Sequence, residues 1–177
     1  GVLGRLGGAS ASYVHAGGLN GSLAGPRAWM QDPRRAGVGG LGDLGIHLVD
    51  AFAALAQVPV LHAISLDRGE PGRTDLGGTA VGRWGDTPLA LRTSWVSRPA
   101  GLELTVIGSA GTAVLREGAL ELIDDDGSVQ RWIGAPPDAG EALRSFAVGL
   151  RARRLDMDGL SGAIRAQEVL ERAATAS

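Results

Sequence analysis

The chain has 177 residues, of which 44% are hydrophobic and 20% charged, as in an ordinary globular protein, and this length predicts a single domain over residues 1–177. The formal net charge is −2, and no apolar run approaches the roughly 20 residues that span a bilayer, so we expect neither a nucleic acid nor a membrane as partner. The chain contains no cysteine, which excludes disulfides and thiolate metal sites and predicts a cytoplasmic protein.

The first third of the chain predicts a strand, a loop and a helix. Alternating small, polar and apolar residues from Leu6 to His15 indicate the strand, and a glycine-rich loop follows from Gly17 to Gly25. The helix is predicted from Gly40 to Gln57 and ends before Pro59. Its apolar stripe at helical spacing consists of Leu41, Leu44, Leu48, Phe52 and Leu55.

The middle third predicts seven short strands, because segments rich in β-branched and aromatic residues are separated by turn sequences such as Gly85-Asp86 and Asp126-Gly127. Consecutive strands joined by short turns pair antiparallel, so we expect a meander-like sheet. The predicted strands are Val60 to Leu66, Thr79 to Trp84, Leu89 to Val96, Leu102 to Ile107, Thr112 to Arg116, Leu120 to Ile123 and Val129 to Ile133.

The last third returns to a helical pattern, from Glu141 to Arg153 and from Ser161 to Ala174. Ile164, Val169 and Leu170 are predicted to form the apolar face of the second of these helices. Helices at both ends of a run of strands indicate an α+β fold, with a large, mainly antiparallel, twisted β-sheet and helices packed on one face.

Three titratable residues, Asp43, His47 and Asp50, follow one line along the first predicted helix, because residues three or four apart share a helix face. Ile46 and Ala54 flank this line, so we expect the face to meet a ligand or another body of protein. A histidine exchanges protons near neutral pH, and a neighbouring carboxylate can hold a hydroxyl group. The pair therefore fits a catalytic acid/base; the alternative is a helix-capping Asp43 beside a structural His47.

The residues around this pair extend the pattern over much of the chain. The string Trp29, Asp32-Pro33, Gly37-Val38-Gly39, Asp43-x-Gly45-x-His47 and Asp50 resembles the signature of the Gfo/Idh/MocA oxidoreductase family. Further resemblance lies in Gly108-Ser-Ala-Gly111-Thr112, Phe146, Asp158-Gly159 and Ala166-x-Glu168-Val169-Leu170. Val38 departs from the family pattern, which has glycine there, and this predicts a stiffer loop with altered substrate preference.

The resemblance implies roles for three residues. His47 matches the family's catalytic histidine, the general acid/base at the substrate hydroxyl, Asp43 matches the acid that binds that hydroxyl, and Trp29 is expected to contact the substrate. The implied cofactor is NAD or NADP, bound mainly by an N-terminal Rossmann domain absent from this chain. The family's catalytic lysine belongs to that domain, and this chain contains no lysine. We therefore expect the chain alone to be inactive, with no cofactor-binding or metal-binding residues of its own.

The resemblance also implies an architecture and a function. The fold would be the dihydrodipicolinate reductase-like C-terminal domain, which binds substrate and forms a homodimer or tetramer through a sheet face. The function would be oxidation or reduction of a sugar, polyol or related secondary alcohol, a small carbohydrate-like molecule. Two alternatives stay open: a non-catalytic oligomerisation or ligand-sensing domain of the same fold, and a hydrolase of the superfamily that uses NAD transiently.

Other motifs predict no site. Gly37-x-Gly39-x-x-Gly42 satisfies the dinucleotide fingerprint only in its spacing, because no buried strand precedes it. His15 and His62 lack metal-ligand spacing and are expected to be structural. Trp84 and Trp95 could stack on a sugar, but the favoured interpretation is packing within the sheet or at an interface.

Overall fold

The computed structural model describes residues 1–134, 144, 147–149, 151–152 and 157–175. The helix predicted from Glu141 to Arg153 lies mostly outside the described residues, as does Phe146. The strands are β1 Leu6–Val14, β2 Val60–Asp67, β3 Gly77–Trp84, β4 Thr87–Ser94, β5 Gly101–Gly108, β6 Gly111–Arg116, β7 Ala119–Asp124 and β8 Val129–Ile133. The helices are a 3-10 helix Gly25–Gln31, α1 Pro33–Ala36, α2 Gly40–Leu55 and α3 Met157–Thr175.

The eight strands form one sheet in the order β2-β3-β4-β1-β5-β6-β7-β8. Neighbouring strands are antiparallel except β1 and β4, which are parallel and pair Ala9 with Leu89 and Ala11 with Leu91. The predicted mainly antiparallel sheet is therefore confirmed, but a simple meander is wrong. β1 lies between β4 and β5 at the centre of the sheet. The alternation of side chains along β1 does not predict which strands it pairs with.

Helix α2 lies across β1, β3 and β4 and supplies much of the hydrophobic core. The predicted stripe is confirmed in Leu41, Leu48 and Phe52, which are almost completely buried. The prediction that Leu55 belongs to the buried stripe is wrong, since it is 60% exposed. Phe52 packs on Trp84, with ring centroids 5.2 Å apart, and Leu55 is the last residue of the helix, beyond this contact.

Helix α3 packs against α2 and β2, on the same face of the sheet as α2. Leu170 is buried as predicted, and it contacts α2 where Gly45 allows a close approach: a β-carbon at Gly45 would lie 3.3 Å from a Leu170 methyl group. Ile164 is 52% exposed, so its placement on the apolar face is wrong, and Ala166 is buried in its place. The predicted arrangement of helices on one sheet face is thus confirmed for the described helices.

The turn residues identified in the sequence close hairpins as predicted. Gly85, at φ +60, lies in the two-residue connection between β3 and β4, which pairs Trp84 with Thr87. Because this turn is so short, β4 begins at Thr87, two residues earlier than predicted. At the tip between β7 and β8, the backbone N–H of Ser128 donates a hydrogen bond of 2.8 Å to Asp126, which holds the pKa of that carboxyl group below its ordinary value.

The segment Pro33–Leu55 is 23 residues long, and an 18-residue window in it has a mean hydropathy of 1.4, so by length and composition it could cross a membrane. Length and composition do not separate such a span from the core helix of a soluble protein. In this segment Gly37, at φ +73, separates α1 from α2, and α2 buries its apolar stripe against the sheet. The packing is that of a core helix.

Candidate substrate cleft

The loop that precedes α2 is held by side-chain to backbone hydrogen bonds. Gln31 Nε2 donates to the carbonyl of Leu23 at 2.7 Å, and Thr74 Oγ1 donates to the carbonyl of Met30 at 2.9 Å. Asp32 caps the single turn α1, accepting from the backbone N–H of Arg34 at 2.9 Å, and Pro33 occupies the first helical position. These bonds fix the 3-10 helix, and with it Trp29 and Met30, beside the start of α2.

The start of α2 is capped by a carboxylate from elsewhere in the chain. Gly39 at the N-cap has no side chain to satisfy the first N–H groups of the helix. Asp75 does this instead, accepting from Gly39 N at 2.6 Å and from Leu41 N at 2.7 Å, and it is only 6% exposed. A negative charge at this helix end is also favoured by the helix dipole. Asp75 therefore orients the helix that carries Asp43 and His47.

Asp43 lies in the first turn of α2 and is half-buried. Its Oδ2 accepts a hydrogen bond of 2.9 Å from Nε1 of Trp95, which lies just after β4 and is completely buried. A buried indole is a rigid donor, because packing fixes the ring. Asp43 is thus oriented by Trp95 and does not cap the helix, which is the role of Asp75.

His47 lies one turn further along α2, and its side chain is exposed. Its ring makes an edge contact with Tyr13 on β1, with centroids 5.7 Å apart and planes at 69°. Tyr13 makes a second edge contact with His15, at 6.4 Å. The interpretation of His47 as an interior histidine is therefore not supported by its position.

Asp43, His47 and Trp29 line one cleft of about 320 Å³, here named the proximal cleft. The structure thus brings the three predicted site residues together, although Asp50, the third titratable residue of the line, is exposed and does not line this cleft. The other lining residues are Met30, Ala36, Val38, Gly39, Gly42, Ile46, Trp95 and Gln167. In the described part of the chain, Asp43 and His47 make no hydrogen bond to each other, so each can bond a ligand atom.

The lining of the proximal cleft includes Val38, the residue that departs from the family pattern. A β-carbon added at Gly42 would lie 2.5 Å from a methyl carbon of Val38, so these two residues are in close packing. Val38 therefore fills space that a glycine would leave open to a ligand. The contact gives a structural basis for the predicted change in substrate preference.

Sequence reasoning did not identify Asp75 and Tyr13, and it gave Trp95 a different role. Trp95 and Trp84 were expected to pack, and both do: Trp84 Nε1 donates to the Phe52 carbonyl at 3.1 Å. The bond from Trp95 to Asp43 joins residues 52 positions apart and has no local sequence signal. For Asp75, a useful signal was the helix start at Gly39 and Gly40 without a capping side chain, which requires a partner from elsewhere.

The other histidines and the glycine stretch have the structural roles that the sequence predicts, or form no binding site among the described residues. His15 Nδ1 accepts from the backbone N–H of Gly17 at 2.9 Å, which stabilises the turn after β1. His62 is exposed on β2. Among the residues that the structure describes, no group of three His, Asp or Glu side chains could hold a metal ion. The glycine stretch follows the short helix α1 and not a strand, and Gly39 and Gly40 lie against the backbone of residues 75 and 76.

In sequence, residues 1–114 match the family model of the GFO/IDH/MocA C-terminal domain. No curated protein matches the chain.

Several solved structures share the fold at low identity. A variant of KijD10, a 3-ketoreductase from Actinomadura kijaniata in complex with TDP-benzene and NADP, has a TM-score of 0.78 at 16% identity, covering 99% of this chain and 55% of that one. Levoglucosan dehydrogenase in complex with NADH and levoglucosan has a TM-score of 0.72 at 16% identity, covering 100% of this chain and 59% of that one. An oxidoreductase domain protein from Kribbella flavida has a TM-score of 0.72 at 15% identity, covering 98% of this chain and 58% of that one. The chain thus spans less than two thirds of the length of each.

Proposed function

Because this chain belongs to the GFO/IDH/MocA family as a C-terminal domain, we propose that it is the substrate-binding part of a nicotinamide-dependent oxidoreductase acting on a sugar, polyol or related secondary alcohol. The observation that carries the proposal is the proximal cleft, where Asp43 and His47 stand side by side on α2. Levoglucosan dehydrogenase and the ketoreductase KijD10, which share the fold, were solved with NADH and NADP respectively.

In the proposed oxidation, His47 acts as the general base. Its imidazole takes the hydroxyl proton of the substrate while the carbon–oxygen bond becomes a carbonyl and the hydrogen on that carbon leaves as hydride. In the reverse direction, the protonated imidazole returns the proton to the carbonyl oxygen. A histidine suits this role because its ordinary pKa lies near neutral pH, and the exposed position of His47 lets it reach a ligand.

Asp43 is proposed to anchor the reacting hydroxyl group. Trp95 occupies Oδ2 of the carboxylate, so Oδ1 is the oxygen available to accept a hydrogen bond from the substrate. Trp29, Val38 and Ile46 give the proximal cleft an apolar wall, which limits the access of water to the reacting carbon and strengthens the polar contacts inside.

A bound nicotinamide ring supplies the hydride acceptor or donor for this chemistry. Gly39 and Gly40 do not fit its phosphates, because both pack directly against backbone and leave no cradle. We therefore propose that a Rossmann domain holds the cofactor, NAD or NADP, and supplies the lysine, in what is here named the two-domain protein. The chain alone would be inactive.

The sheet face opposite α2 is proposed to join copies of the protein into a dimer or tetramer. Its centre carries a shallow depression of about 270 Å³ lined by small and polar residues of β1, β3, β4 and β5, among them Ser10, Ser12 and Thr79. Val81 and Ile107, on β3 and β5, are 45% and 51% exposed. Neither α2 nor α3 covers this face. A sheet face with exposed apolar residues is typical of an interface between subunits.

The proposed function is tested by assaying the two-domain protein against a panel of sugars and polyols with NAD and with NADP. The expected result is a change in nicotinamide absorbance with at least one secondary alcohol, lost in His47→Gln. Turnover of a panel compound with no net change in nicotinamide absorbance would instead support a hydrolase. Binding of a panel compound without any turnover would support a ligand-sensing domain.

A further inference from the structure

A second cleft adjoins the first at Asp43 and Met30, which line both. This distal cleft measures about 620 Å³, roughly twice the 320 Å³ of the proximal cleft. Its other lining residues are His15, Ala16, Gly17, Asn20, Ser22, Leu23, Arg27 and Ala100. Clefts that bind small molecules measure about 300 to 1,000 Å³, so a single sugar ring in the proximal cleft leaves the larger space unused.

The distal cleft presents hydrogen-bond donors. His15 Nδ1 accepts from Gly17 N, so the proton of the neutral ring lies on Nε2, which is a donor. Asn20 Oδ1 accepts from Ser22 N at 3.1 Å, which leaves the two N–H groups of its amide for a ligand. Ser22 Oγ already donates to the Gly17 carbonyl at 3.2 Å. The wall is therefore suited to a group rich in acceptor oxygens.

Arg27 adds a positive charge to this wall. It lies on the 3-10 helix and is exposed, and the ion pairs of the described residues do not include it. By contrast, Arg73 and Arg116 each lie within 4.0 Å of a carboxylate. A guanidinium group binds carboxylate and phosphate through parallel hydrogen bonds. Arg27 is thus available to an anionic ligand.

We propose that the substrate extends past Asp43 into the distal cleft and carries there an anionic group, a carboxylate or a phosphate, bound by Arg27 with His15 and Asn20 as further donors. The direction follows from charge: Asp43 repels an anion at the reacting end, whereas Arg27 attracts one at the far end. The proposal rests on the proposed function for the identity of the reacting end, but the binding of the anion does not depend on catalysis.

The first test measures equilibrium binding to the full chain by NMR and calorimetry. The probes are D-glucuronate, glycerol phosphate and D-glucose. We expect one or both anions to shift the signals of Arg27, His15 and Asn20. Arg27→Gln should weaken the binding of that anion by about tenfold or more, since one charge-assisted contact is lost. The binding of D-glucose should change by less than about twofold, because its contacts are with the proximal cleft.

Arg34→Gln is the matched control, because Arg34 is equally exposed on the neighbouring turn α1 and does not line the distal cleft. The preference between D-glucuronate and glycerol phosphate identifies the carboxylate or the phosphate as the source of the charge. No shift at these residues with either anion, or an equal loss in Arg34→Gln, overturns the proposal.

Kinetics on the two-domain protein separate this proposal from the proposed function. If anions bind at Arg27 while no panel alcohol is oxidised, the proposed function fails and the distal site stands. If a neutral alcohol is oxidised and anions do not bind at Arg27, the distal site fails and the function stands.

Discussion

The indole N–H of Trp95 donates a hydrogen bond of 2.9 Å to Oδ2 of Asp43. One partner is completely buried beneath the cleft and the other faces it. A hydrogen bond to a carboxylate is stronger than one between neutral groups, and the packed indole permits little change of direction. Trp95 therefore fixes which oxygen of Asp43 is presented to a ligand.

Trp95→Phe should lower kcat/KM of the two-domain protein by about 10- to 100-fold, since the aromatic ring is kept and one hydrogen bond to a charged group, worth about 1.5 to 3 kcal/mol, is lost. The same substitution in an Asp43→Ala background should have a much smaller effect, because the two residues act as a unit. Steady-state kinetics on the four proteins measure this coupling.

Trp84→Phe is the matched control, because the Trp84 indole donates to the backbone of Phe52 away from the cleft. It should leave kcat/KM nearly unchanged. Strictly additive effects of Trp95→Phe and Asp43→Ala would show that the bond does not orient the carboxylate.

Asp75→Asn should lower the free energy of unfolding by about 1 to 3 kcal/mol, because an amide has one acceptor oxygen where the buried carboxylate accepts from both Gly39 and Leu41. Urea unfolding of the chain measures the loss. Asp67→Asn is the control, since the exposed Asp67 makes a single long bond of 3.2 Å to Gly69. It should change the free energy by less than about 0.5 kcal/mol. Equal effects of the two substitutions would mean that Asp75 is not the cap of α2.

Gly42→Ala should destabilise the chain, although glycine to alanine inside a helix normally stabilises by about 0.5 to 1 kcal/mol. The new methyl group would meet Val38, 2.5 Å away. In a Val38→Gly background the same change should become neutral or stabilising. Thermal unfolding of the four proteins checks this reversal of sign, and a stabilising Gly42→Ala in the presence of Val38 would contradict the packing of the loop on the helix.

The turn at Asp126 should respond to acid. The hydrogen bond from the Ser128 backbone N–H stabilises the charged carboxylate, so its pKa lies below the ordinary value of 3.8. The stabilisation of the turn is therefore present above pH 3.8 and is lost as the pH falls through the lower, folded-state pKa. An NMR titration of the Asp126 carboxyl group should show a midpoint below 3.8, which Ser128→Ala should largely keep because it retains the backbone N–H. A midpoint at or above 3.8 in the unaltered chain would refute the assignment.

The parts of the fold that depend on local patterns were predictable. Alternation within β4 and helical spacing from Leu41 to Phe52 each describe one element and its buried side. The position of β1 between β4 and β5 was not predictable, because a strand's alternation does not identify its neighbours. Leu55 lies beyond the contact of Phe52 with Trp84, which is also a long-range property.

In the candidate site too, local contacts were predictable from the sequence and long-range contacts were not. Asp43 and His47 are four residues apart, so helix geometry alone places them together. Trp95 and Asp75 reach α2 from distant loops, at separations of 52 and 34 residues from their partners Asp43 and Leu41. Such partners are determined by tertiary packing, and a short motif does not contain them.

In the proposed reaction, His47 exchanges the proton of the reacting hydroxyl group. This role is tested by measuring kcat of His47→Gln in the two-domain protein with the best alcohol of the panel. The dissociation constant of the nicotinamide cofactor is measured on the same variant. We expect a loss of about 100- to 10,000-fold in kcat, typical of a missing general base, with the dissociation constant of the cofactor nearly unchanged. An unchanged kcat would contradict this role.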